Sequence, residues 1–174
     1  MRERLHRIIG SHCRPLEPLA TGRRPMLSKL SGVRAVLFDV YGTLLISASG
    51  EVGSEPGEMR QEAFAAAFAA AGLPSERGRE GGAACLERII KAEHEKARRR
   101  GIEHPEVDIV KIWGLVLAQF HTRGRLTDEP VGVDLEQLAL EYEVRANPVW
   151  PMPGSTVCLE RLRRADLVLP GVAR

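Results

Sequence analysis

Residues 33–45 read V-R-A-V-L-F-D-V-Y-G-T-L-L, and the rest of the chain takes its meaning from this stretch. Ala35-Val36-Leu37-Phe38 is a continuous apolar run, the pattern of a strand buried on both faces as in parallel sheets. Asp39 falls where that strand ends, and open α/β sheets bind ligands in the crevice outside the carboxyl ends of their strands. A carboxylate at that place is a candidate nucleophile or metal ligand. Gly42 lets the chain turn away tightly, and the Thr43 hydroxyl is a group able to orient the carboxylate. The plain alternative is a buried strand followed by an ordinary turn.

Downstream, residues 46–57 are rich in Gly, Ser and Pro and read as a loop. A helical pattern follows. Glu58 to Ala71 carries Phe64 and Phe68 four residues apart and stops at Gly72, with Pro74 just beyond. Ala83 to Arg100 aligns Leu86, Ile89, Ile90 and Ala97, ends in Arg98-Arg99-Arg100, and stops at Gly101. Asp108 is the expected N-cap of an apolar helix from Ile109 to His121, and Asp134 that of a fourth helix bearing Leu135, Leu138, Ala139 and Tyr142. Trp113 and Phe120 could line an apolar wall or fill a helical core. A Pro-Gly turn at Pro153-Gly154 leads into a helix from Ser155 to Arg164 and then Leu167-Val168-Leu169, an expected second core strand.

The segment Phe38-Asp39-Val40-Tyr41-Gly42-Thr43-Leu44 closely resembles the first motif of the haloacid dehalogenase (HAD) superfamily of hydrolases. The resemblance implies an α/β fold: a HAD-like Rossmannoid core, incomplete here, with an inserted all-helical cap subdomain. Residues 32–50 and 147–174 would form the partial core, 51–146 the cap, and 1–31 a basic flexible leader outside the fold. It also implies that Asp39 is the nucleophile, forming a covalent aspartyl intermediate that water hydrolyses, with Tyr41 and Thr43 beside it. Magnesium is the cofactor the family implies, and Asp39 and the Tyr41 backbone carbonyl are the ligands the motif would supply.

Tyr41 departs from the family's phosphatase pattern, which has a second aspartate there to protonate the leaving alkoxide. A phenol, with an ordinary pKa near ~10, is a poor donor at neutral pH. A halide needs no proton, and the dehalogenase branch tends to carry tyrosine at this position. Tyr41 therefore leans toward carbon–halogen chemistry, while a tyrosine packed beneath a loop is the structural alternative. The implied substrate is a small molecule, a phosphate ester or a haloacid. The family's later motifs, a Ser or Thr after the second strand, a Lys, and a downstream acidic pair, are not found before Arg174. Pro170 would also break a central strand. The expectation is therefore a truncated HAD-like hydrolase with weak or no activity of its own, set against a non-catalytic helical interaction module derived from such a protein.

Composition narrows the remaining classes. The chain has 174 residues, 44% hydrophobic and 28% charged, with a net charge of +2, which makes no strong demand for nucleic acid or anionic membrane. No apolar run is long enough to span a bilayer and no secretory leader stands at the start, so a cytoplasmic location is expected. The basic leader is broken by Pro15, Pro18 and Pro25, and only Leu5, Ile8 and Ile9 suggest a short stripe. No aromatic residue interleaves its arginines, so nucleic-acid binding is disfavoured. Cys13, Cys85 and Cys158 are widely spaced, and the five histidines show no metal-binding spacing, so free thiols and no structural zinc are expected. Oligomeric state is not legible.

Overall fold

The computed structural model describes residues 2–28, 30–48, 57–126, 130–165 and 167–169, so most of the small-residue loop and Pro170 lie outside the described part. Among the described residues seven helices and two short strands follow in the order α1 (Arg2–His12), β1 (Leu45–Ser47), α2 (Gly57–Ala70), α3 (Ser75–Arg79), α4 (Gly82–Arg99), α5 (Ile109–Thr122), α6 (Leu135–Ala146), β2 (Val149–Pro151) and α7 (Ser155–Arg164).

The expected α/β Rossmannoid core is not what forms. Helix takes 54% of the described residues, and the one sheet among them is the antiparallel pair β1–β2. The run that reads as a buried parallel strand is extended, but it makes a single parallel bridge, Ala35 to Val168. Val36 N–H donates to the Val168 carbonyl at 3.0 Å and Val168 N–H to the Arg34 carbonyl at 3.0 Å. Leu37 is 82% exposed and Val168 60%. Parallel strands are stable when both faces are covered by helices, and here neither residue gains that cover. Apolar residues alone thus extend the backbone without making a sheet.

The core lies in the helical segment. Phe64 and Phe68 of α2, Trp113 and Phe120 of α5, and Leu138 of α6 are all buried. Ring centroids stand 4.7 Å apart for Phe64–Phe68, 5.0 Å for Phe64–Trp113 and 5.3 Å for Phe68–Phe120, within the range of favourable aromatic contacts. Gly82 opens α4 because a Cβ there would lie 2.4 Å from the Phe64 ring. Asp108 accepts from Lys111 N–H at 3.1 Å and Asp134 from Gln137 N–H at 2.9 Å, so both aspartates cap the helices they precede. Helix α3 was not anticipated, since five residues are too few for an apolar period to declare itself.

The two ends of the helical segment are drawn together by β1 and β2. Leu45 faces Pro151, Ile46 faces Trp150 and Ser47 faces Val149. The ladder continues through Ala48 N–H to the Pro148 carbonyl and Met152 N–H to the Leu44 carbonyl, each 2.9 Å. The Ser47 hydroxyl adds a 2.7 Å hydrogen bond to Asn147 at the end of α6. Helix α1 lies against α6, with Ile8 buried and Arg4 paired with Asp134.

Candidate functional site

Between the extended run and β1 the chain makes one tight turn. The amides of Leu44 and Leu45 both donate to the Val40 carbonyl at 2.9 Å, and Gly42 N–H donates to the Leu45 carbonyl at 2.7 Å. Gly42 has φ near +80°, a conformation that side chains strain to adopt, which is the reason for glycine at this position. The turn carries Thr43 back toward the strand end. Its hydroxyl donates to Asp39 Oδ2 at 3.4 Å, a long hydrogen bond. The candidate nucleophile and its orienting hydroxyl are therefore brought together, and both are exposed.

Tyr41 goes elsewhere. It is 42% exposed. Partial burial, and next the Glu143 carboxylate of α6, push its phenol above the usual tyrosine value. A negative charge nearby and lost hydration both disfavour the phenolate. The group stays protonated through neutral pH. Glu143 is held in turn by Asn147 Nδ2 at 3.4 Å. Neither residue carries a local motif, and Glu143 lies far from Tyr41 along the chain, so no signal short of the tertiary fold marks this pairing.

Beside Tyr41 is a small cavity of about 130 Å³. Leu140, Val144, Pro148 and Val149 line it from α6 and the entry to β2, while Ile9 and Cys13 close it from α1 and the residue after it. Its wall is overwhelmingly apolar. Trp113 and Phe120, which could have faced such a space, are instead fully committed to the helical core.

The magnesium site implied by the motif can be weighed on the residues present. Among the described residues no group of three or more His, Cys, Asp or Glu side chains converges. Asp39 and the Tyr41 carbonyl fall well short of the roughly six oxygen ligands that magnesium takes. These residues do not by themselves fit a magnesium ion. The triple arginine ends α4, exposed at a helix C-terminus where positive charge is favourable. No helix among the described residues is long and apolar enough to cross a membrane. Comparisons with protein-family models, curated proteins and solved structures give no match for this chain.

Proposed function

We propose that the chain carries the nucleophile of a HAD-like hydrolase, with Asp39 attacking a carbon that bears a halide. The observation that supports this most directly is the turn that sets the Thr43 hydroxyl against Asp39 at the end of an extended apolar run. In the reaction a carboxylate oxygen of Asp39 forms a carbon–oxygen bond as the carbon–halogen bond breaks, and the halide leaves with the electron pair. Water then adds to the resulting ester, the alcohol departs, the carboxylate is regenerated, and one proton passes to solvent. Phosphate-ester hydrolysis would need an acid for the leaving alkoxide. Tyr41, the residue at that position, holds its proton more tightly than an ordinary phenol and is poorly suited to the task.

The test is halide release from a 2-haloacid and from a neutral bromoalkane by the purified chain, beside release of nitrophenol from an aryl phosphate, each repeated with Asp39→Asn. Halide release that disappears in the variant is the expected result. A folded chain that releases none, or an Asp39→Asn variant that releases as much, refutes the reading.

A second reading has its own support. The buried aromatic core belongs wholly to the helical segment, whereas Asp39 is exposed and the apolar run before it is at most half-buried. That distribution is what a helical interaction module with a vestigial strand would show. Binding of a protein partner that survives Asp39→Asn, with no hydrolysis by wild type, would favour it.

A further inference from the structure

The cavity beside Tyr41 has the size and lining to take part in recognition. Its volume of about 130 Å³ is close to that of an apolar cavity known to hold benzene in an engineered protein. Tyr41 lines the cavity and follows Asp39 by two residues, so the Cα atoms of the two are at most about 7 Å apart. Its walls come from three separate elements, α1, α6 and β2. The one carboxyl-bearing residue of its lining is Glu143, and the lining holds no Lys, Arg or His. A carboxylate or phosphate entering this space would meet like charge and lose its hydration with no cation of the lining to replace it. A hydrocarbon group loses nothing by entering and sheds its apolar surface from water.

We infer that this cavity receives a neutral apolar group of butyl to benzene size, the organic part of the molecule that Asp39 attacks, and that it turns anionic groups away. The assignment of that group to a substrate rests on reading Asp39 as the nucleophile. The ligand class of the cavity itself does not. Tyr41, which lines the cavity two residues after Asp39, acts as a positioning residue whose phenol proton is not transferred.

Two measurements on the full chain test this. Fluorobenzene binding is followed by fluorine NMR with benzoate as the anionic counterpart, and halide release is compared for 1-bromobutane and 4-bromobutanoate. Fluorobenzene is expected to bind saturably to wild type and to Asp39→Asn alike. Val144→Phe, or Leu140→Phe should the first variant not fold, is expected to weaken it about tenfold or more by filling the space. Benzoate is expected to bind at least about tenfold more weakly, a penalty that Glu143→Gln reduces, in keeping with removal of a like charge. 1-Bromobutane should be the better substrate, and Val144→Phe should raise its KM with less effect on kcat. Absence of saturable fluorobenzene binding, equal binding to a folded cavity-filled variant, or benzoate binding as tightly overturns the cavity assignment whatever the halide assay gives. Fluorobenzene binding as expected with no halide release by wild type upholds the ligand class and overturns the nucleophile reading instead.

Discussion

Tyr41 shows how one residue's surroundings outweigh its place in a motif. Two residues after a candidate nucleophile, it stands where an acid would serve a phosphatase, yet partial burial, and next the Glu143 carboxylate, push its phenol above the ordinary tyrosine value. Because its value in the folded chain lies above the unfolded value of about 10, the favourable contribution is fully present below pH ~10 and is lost as pH rises through the raised folded value. The loss of stability above pH ~10 should therefore be smaller in Tyr41→Phe. Tyrosinate absorbance should show the Tyr41 titration moving down in Glu143→Gln, identified by its absence from the Tyr41→Phe spectrum. An unmoved titration would show that Glu143 does not act on the phenol. The turn at Gly42 was legible from residue types and order alone, since a glycine turn needs no distant partner. Glu143 was not, because its relation to Tyr41 exists only once α6 is packed.

Helix α6 is the element on which the site depends. Its N-terminus is capped by Asp134, which also pairs with Arg4 of α1, and its far end carries Glu143 and reaches Asn147 beside β2. The Asp134 carboxyl is held below the usual carboxylate range, first by the Gln137 amide and then by the Arg4 guanidinium. A depressed value means that this contribution is present above pH ~4 and is lost as pH falls through the folded value. Asp134→Ala should lower stability by about 1 kcal/mol, the ordinary worth of an N-cap, read as a lower urea midpoint with unchanged slope. A difference from wild type that persists below the folded pKa of Asp134 would refute the acid linkage. The helix starts at Asp108 and Asp134 and the stop at Gly72 follow directly from capping chemistry that acts within a few residues. Helix α3 escaped because a single turn and a half carries too little pattern to distinguish it from loop.

Stability of the molecule as a whole resides in the aromatic cluster joining α2, α5 and α6, while the segment bearing Asp39 contributes no residue to it. Phe64→Ala should cost about 3–5 kcal/mol, because a fully buried ring is replaced by a cavity among Phe68, Trp113 and Phe120. Leu37→Ala should change the urea midpoint by no more than about 0.5 kcal/mol equivalent, as expected for an exposed side chain outside the core. Equal losses from the two substitutions would show that the strand is part of the cooperative core after all. Local chemistry written in the chain was enough to place helices, caps, the glycine turn and the meeting of Thr43 with Asp39, since each is settled by groups a few residues apart. The apolar run at residues 35–38 could not announce whether helices would cover it, nor could Tyr41 announce its neighbour. Burial and electrostatic environment are set by residues brought from elsewhere in the chain, so the loss of the expected α/β core, the pairing of Tyr41 with Glu143 and the cavity beside them were decided by packing alone.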